Sequence, residues 1–347
     1  MLDRPEFTPA KIPEADKARL RIMLLAKHAD SDGAPDPVDG NHAIYHHELR
    51  TTLESIGLDV VAANDFSAID KASGVDFVLT LLNRAGFQNS EMLAPLMLTR
   101  GAIPFLGASP ILRGLADDKH LAKVVARASG VPTPDWMVCR IGRAIVDPTF
   151  RAERLVVKPN ASSASWGVKI LDSWAEGRRH AEHLHMLGHD VLVEAYHPLV
   201  DVAAPVVGGA GREPWFLPPM SHKPEIEGEL RSYEEKRALT PTLARDADPL
   251  HVVDDPILVA RLKTHSRALS RELWPFDYGR FEFRYDERSG DLAFMEVNLS
   301  CNLWSRKSVS RSAASLGVGH AALVESIVAH SLMRQGVIAR DAVEIAA

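Results

Sequence analysis

The chain has 347 residues, 46% of them hydrophobic and 25% charged, with a formal net charge of −6. A chain of this length buries a sizeable core without covalent staples and fits two or three domains. Its mildly acidic balance gives no reason to expect nucleic acid or an anionic membrane as a partner. Two distant cysteines, Cys139 and Cys301, form neither a disulfide framework nor a zinc pattern. The first residues lack the apolar run of a signal peptide, and no stretch reaches the roughly 18 apolar residues of a membrane span, so a cytoplasmic protein is expected.

Residues 1 to 18 read as an extended lead-in, and RLRIMLLA from Arg19 as a buried strand. A Gly/Pro/Asp-rich loop from Ser31 precedes a helical pattern carried by Ile44, Leu49, Leu53 and Ile56, which Gly57 stops. LDVVAA from Leu58 and DFVLTLL from Asp76 read as further strands, and this alternation predicts a parallel, doubly wound sheet. After the turn-rich GAIPFLGASP comes a helix over 116–129, then strands at LVVKPN and DVLVEAY. Residues 207–256 read as irregular, the kind of long loop that is often functional. A helix over 257–273, two strands turning at Ser289-Gly290 and a last helix near 316–335 complete the chain.

Three patterns carry chemistry. In GRFEFRYD, Arg280 and Glu282 share one strand face; in LAFMEVNLS, Glu296 and Asn298 share one face, with Met295 and Val297 on the other. Paired as a hairpin, the two strands gather two carboxylates, an amide oxygen and an arginine. Mg²⁺ takes such oxygen ligands, yet the same pattern describes the solvated side of an ordinary hairpin. In LVVKPNASSASWGVKI, a strand delivers Lys158 to a loop of small residues suited to close approach of backbone N–H groups to phosphate. The P-loop ending is absent, and a β-turn with a surface lysine reads the same way. In DVLVEAYHPLVD, Glu194 ends an apolar strand and Asp201 follows seven residues on, as nucleotide contacts or as solvated carboxylates.

Taken together and in order, GAIPFLGAS, DDK, GVPTP, VVKPN with its small-residue loop, VLVE, R-x-E and MEVN resemble the ATP-grasp ligases, specifically the D-alanine–D-alanine ligase-like branch. The matching segments run from the first strand to about Gly317. The resemblance implies a three-domain α/β fold: a Rossmann-like domain over 1–112, then central (113–193) and C-terminal (194–347) subdomains that sandwich ATP. It implies that Lys119 and Lys158 contact the nucleotide phosphates and that Ser165 lies over the γ-phosphate. Glu194 falls where the family binds adenine, the backbone of Ala195 to His197 at the adenine edge, and Asp201 at the ribose. Glu282, Glu296 and Asn298 fall on the ligands of two Mg²⁺ ions (Mn²⁺ being an in vitro substitute). Arg280 falls on the arginine that stabilises the acyl phosphate, and Lys236 on a lysine of the lid that excludes water. The implied reaction activates a carboxylate as an acyl phosphate and passes it to an amine, releasing ADP and phosphate. The implied partners are small molecules and, by family default, a second copy of the chain.

The departures concern substrates. Asp39 only approximates the family's glutamate for the first substrate's amine; Leu82-Asn83, Ala164 and Arg237 replace a His-Gly pair, a serine and a tyrosine. Cys301-Asn302 stands where D-alanine enzymes carry the Pro-Gly of the oxyanion hole, with Asn302 the candidate substitute. Arg306 and Lys307 lie near where the acceptor carboxylate is held, as a carboxylate clamp or as plain surface. Cys301 itself reads as a packing residue. A ligase for substrates other than two D-alanines is therefore expected. A non-amine acceptor, a true D-alanine–D-alanine ligase and a nucleotide-binding module without catalysis are the alternatives; a mere binder has no need of Arg280.

Overall fold

A computed structural model describes residues 7–196, 200–210, 212–222, 250–339 and 344–345. Its first part comprises β1 (Ala10–Lys11), α1 (Glu14–Lys17), β2 (Arg21–Leu25), α2 (His42–Ser55), β3 (Asp59–Ala63), α3 (Ser67–Asp70), β4 (Phe77–Thr80), α4 (Leu93–Arg100) and β5 (Phe105–Leu106). The strands form the expected parallel sheet in the order β3-β2-β4-β5. The β2 run is apolar throughout because both faces are covered. Ile22 and Leu24 pack with Leu49 and Leu53 of α2, whereas Met23 and Leu25 pack with Ala94 and Leu98 of α4.

The chain continues through α5 (Pro110–Asp117) and α6 (Lys119–Ala128) to β6 (Trp136–Cys139), β7 (Leu155–Pro159), β8 (Lys169–Leu171), α7 (Trp174–Met186) and β9 (Val191–Ala195). These strands make an antiparallel sheet, β6-β9-β7-β8, whose Leu155, Val157, Val191 and Val193 pack on Ala181 and Leu184 of α7. By strand alternation, Lys158 and Glu194 point to the opposite face.

A third sheet is built from β10 (Val200–Gly209), β11 (Arg212–Phe216), β12 (Met220–His222), β13 (Leu250–Val252), β14 (Tyr278–Tyr285) and β15 (Leu292–Asn298), with α8 (Pro256–Glu272) between β13 and β14. Its order is β13-β12-β10-β14-β15, with β11 also on β10. One face is core: Val202, Val206, Phe281, Phe283, Phe294 and Val297 pack with Leu258, Leu262 and Leu269 of α8. Then come α9 (Ser308–Ser315), α10 (His320–Arg334) and β16 (Glu344–Ile345), which pairs with β1. Leu323, Val324, Ile327 and Val328 of α10 share a core with β2 and α2. No single helix among the described residues is long and apolar enough to cross a membrane.

Three sequence expectations are corrected and one helix is added. The helix over 116–129 is two helices, broken at Asp118, whose extended backbone lets its carboxylate cap Leu121 N at 2.9 Å. The last helix stands where the sequence places it, and a further helix, α9, precedes it across a turn with Gly317 at φ +79°. Within 207–256, the described residues form the end of β10 and short strands β11 to β13, which proline and charge conceal in sequence. Finally, Met295 does not share the core face with Val297. The register pairs Glu282 with Glu296 and Phe283 with Phe294, leaving Met295 as the extra residue of a bulge.

Candidate active site

The site is built on the face of the third sheet that the core leaves uncovered. Arg280 lies directly opposite Asn298, and Glu282 directly opposite Glu296. On the other side of β14, Asp201 of β10 opposes Arg284, and their side chains pair at 2.8 Å. Strand alternation puts Phe281, Phe283 and Val297 in the core, so it holds all these polar groups on one surface. Arg280 pairs with Glu282 and reaches Ser308 Oγ at 3.4 Å. Burial opposes the Arg280 charge, but Glu282 and Glu296 outweigh it, so the guanidinium is held more firmly protonated than usual. Asn298 Oδ1 accepts the N–H of Ser300 at 3.1 Å, which fixes the amide and leaves its oxygen a second lone pair.

α6 brings the first lysine to this surface. Lys119 donates to the carbonyl of Ser162 at 2.7 Å and stands 3.5 Å from Glu296 Oε2. Asn160, fully buried, anchors the small-residue loop to the start of the helix: its backbone carbonyl accepts Lys119 N at 3.0 Å and its side-chain oxygen accepts His120 N at 2.9 Å. Beyond it, Ala164 (φ +55°) and Ser165 (φ +61°) both adopt the left-handed region, a conformation that costs on the order of 1 kcal/mol per non-glycine residue. Gly167 follows at φ +71°, where a Cβ would meet Pro159 at 2.9 Å. A turn that holds two such residues is a shaped cradle rather than slack chain.

Lys158 meets Glu194, whose side chain is fully enclosed. The other carboxylate oxygen of Glu194 lies 2.9 Å from Lys123, also fully buried. Burial alone would raise the Glu194 pKa, but the two ammonium groups pull it down to about 2. Desolvation lowers Lys123 to about 8, because one carboxylate shared between two cations offsets only part of the cost. The N–H groups of Ala195 and Tyr196 donate to the carbonyls of Asp135 and Arg154, both at 3.0 Å. Of the residues singled out in the sequence, His197, Lys236 and Arg237 lie outside the described residues.

At the other end of the site, the loop after β2 and the segment after β15 meet through α2. Tyr45 OH accepts Leu303 N at 3.1 Å. Glu48 accepts Trp304 Nε1 and Ser305 N, both at 2.9 Å. Asp39 is nearly buried and already engaged, with His28 Nε2 at 2.9 Å and Lys27 on the same oxygen. Asn302 spends its side-chain oxygen on Trp304 N at 2.7 Å. Arg306 sits 5.4 Å from the Trp304 ring, and Lys307 precedes α9. Cys301 is buried and its thiol is pushed up to about 12, the state of a packing residue.

Sequence reasoning missed Lys123, Glu48 and Glu91. Glu91 is buried and accepts Ser300 Oγ at 2.9 Å, with Arg84 at 3.5 Å and Arg113 at 3.9 Å, so it ties the exit of β15 to the end of β4 and to α5. Burial raises its pKa against the pull of Arg113. Lys123 had a signal: it stands four residues after Lys119 and so on the same helix face.

No family model matches the chain. A D-alanine–D-alanine ligase of Bacillus anthracis is 25% identical over 317 residues, covering 90% of this chain and 97% of the relative. The protein y4sG of Sinorhizobium fredii is 29% identical over 248 residues, 68% of this chain and 69% of its own length. Among solved structures, the B. anthracis D-alanine–D-alanine ligase complexed with ATP superposes with a TM-score of 0.71 at 22% identity, over 92% of this chain and 99% of that one. That likeness carries the fold: the chain folds as the D-alanine–D-alanine ligases do and is similar to them in sequence along most of its length.

Proposed function

We propose that this protein is an ATP-dependent carboxylate–amine ligase that forms an amide bond and releases ADP and phosphate. The observation that carries the reading is the register of β14 on β15, which sets Glu282 against Glu296 and Arg280 against Asn298 with Lys119 within 3.5 Å of Glu296. Two carboxylates and an amide oxygen on one strand pair suit Mg²⁺, and a cationic cradle beside them suits phosphates. Bound there, ATP supplies the phosphoryl group that turns a carboxylate oxygen into a leaving group, and Mg²⁺ screens the phosphate charge.

The chain's own residues do the rest. Glu282, Glu296 and Asn298 hold the ions, and Lys119 and Lys158 balance the phosphate charge. The loop at Ser165 would lie over the terminal phosphate and the backbone at Ala195 and Tyr196 along the base, with Asp201 toward the ribose. Arg280 is kept charged beside its carboxylates and offsets the negative charge that develops on the reacting carbonyl.

The substrates are proposed to be amino or carboxylic acids other than two D-alanines, because Asp39 already has its charge met by Lys27 and His28. An ammonium group placed there would have to displace them. Arg306 and Lys307 are the candidates for the acceptor's carboxylate, beside Asn302. The competing reading, a D-alanine–D-alanine ligase, is favoured by the names of the relatives. One assay separates them: ADP release with ATP and Mg²⁺ across pooled amino and carboxylic acids, with mass spectrometry of the products. The expected result is ADP release that needs two substrates and a product mass equal to their sum less water. Efficient formation of D-alanyl-D-alanine would remove the substrate proposal, and ATP binding without turnover in any pool would remove the ligase proposal.

A further inference from the structure

The ammonium of Lys123 has three donors and no exposure to solvent. It meets Glu194 Oε2 at 2.9 Å and donates to Thr133 Oγ1 at 2.9 Å, and the Trp136 ring centre lies 5.8 Å away. Thr133 passes the contact on, its hydroxyl donating to the carbonyl of Phe294 at 2.8 Å. Phe294 N in turn donates to the carbonyl of Pro132 at 2.7 Å. Phe294 belongs to β15, two residues before Glu296, and the remaining oxygen of Glu194 holds Lys158. A continuous line of polar contacts therefore runs from Lys158 on β7, through Glu194 on β9, Lys123 on α6 and Thr133, to the strand that carries Glu296 and Asn298.

We propose that Lys123 is a positioning residue that couples the sheet bearing Lys158 to the strand bearing Glu296, and so fixes the spacing between the phosphate-binding and metal-binding halves of the site. The proposal rests on the nucleotide-site reading above. The chemistry calls for a lysine: only a side chain with several donors serves a buried carboxylate and a neutral hydroxyl at once. The charged groups facing Lys123 are Glu194 and Lys158 and, further off, Glu296, so its charge is felt on both halves. Thr133 is the residue through which the coupling can be cut without touching the Glu194–Lys158 pair.

The test compares Thr133→Val, which is close in shape but lacks the hydroxyl, with Thr133→Ser, which keeps it, and with Lys123→Met. Three quantities are read: kcat for ADP formation, the Kd of ATP with Mg²⁺ by direct binding, and amide hydrogen exchange over residues 292–298. Thr133→Val leaves one buried donor and one carbonyl short of a partner and is expected to lower kcat about tenfold, with the ATP Kd changed by less than about twofold. Thr133→Ser is expected to restore kcat, and Lys123→Met to weaken ATP about tenfold as well, since Glu194 then loses its second cation. Wild-type kcat in Thr133→Val, or equal impairment in Thr133→Val and Thr133→Ser, would overturn the coupling. If the wild-type chain binds no ATP, the nucleotide reading fails on its own. The exchange data still decide the coupling in that case: faster exchange over 292–298 in Thr133→Val than in Thr133→Ser supports it, and equal exchange overturns it.

Discussion

The two ends of the candidate site are built by different means. At the nucleotide end, charged side chains stand on regular strands and one helix face and pair with one another: Arg280 with Glu282, Lys119 with Glu296, Lys158 and Lys123 with Glu194. At the proposed substrate end, side chains from loops and from α2 bind loop backbone: Asp36 accepts Val38 N and Asp39 N, Asn302 accepts Trp304 N, Glu48 accepts Ser305 N. The first arrangement holds charge ready for a ligand. The second spends polarity on fixing loop shape, so specificity there comes from contour as well as from charge.

Arg280 offers the largest effect by which to break that comparison. If the nucleotide end keeps charge for the reaction, Arg280→Ala should lower kcat by about 10²- to 10³-fold while the Kd of ATP changes only a few-fold. Steady-state kinetics beside direct nucleotide binding check this. Equal losses in both would make Arg280 a structural partner of Glu282 and erase the distinction drawn here.

A smaller effect follows from the enclosed carboxylate. The pKa of Glu194 is depressed from 4.5 to about 2, so its charge stabilises the folded chain fully above about pH 4.5, and this contribution is lost as pH falls through about 2. At about 1.4 kcal/mol per pH unit, that window is worth on the order of 3 kcal/mol. Denaturant titrations from pH 6 down to pH 2 should show the loss. Glu194→Gln should be less stable at pH 7 and flatter below pH 4.5; an equally steep acid loss in that variant would assign the effect to other carboxylates. Lys123 contributes with the opposite sign, although stability again rises with pH. Its pKa falls from 10.5 to about 8, so its burial is unfavourable below pH 8 and stability recovers as pH rises from 8 to 10.5.

The same contrast explains what the sequence made legible. Strand faces repeat every two residues, so Arg280, Glu282, Glu296 and Asn298 could be grouped before any coordinates, and β2 could be read from RIMLL alone. The bulge at Met295 could not, because one inserted residue leaves no mark in composition. The break at Asp118 was missed because a capping aspartate between two helical patterns also fits an unbroken helix. Glu48 and Glu91 were invisible for a deeper reason: their partners, Ser305 and Ser300, lie more than two hundred residues away, and no local pattern encodes such a contact.

The smallest expected effect tests the substrate end. Asp39 has one carboxylate oxygen shared by His28 and Lys27, with the carboxylate almost closed to solvent. If that charge is spent locally, Asp39→Asn should change the KM of either organic substrate by less than about threefold, because hydrogen-bonding capacity survives and only the charge is lost. If Asp39 instead holds a substrate ammonium, the same change removes a charge-assisted bond worth about 1.5–3 kcal/mol, and KM rises by about tenfold or more. Kinetics with each substrate varied in turn decide between these values. A large increase confined to one substrate would identify it as the amine-bearing partner, and would mean that Lys27 and His28 are displaced on binding. The loop after β2 would then hold charge for a ligand as the strands do, and the two ends of the site would differ only in how their charges are masked before substrate arrives.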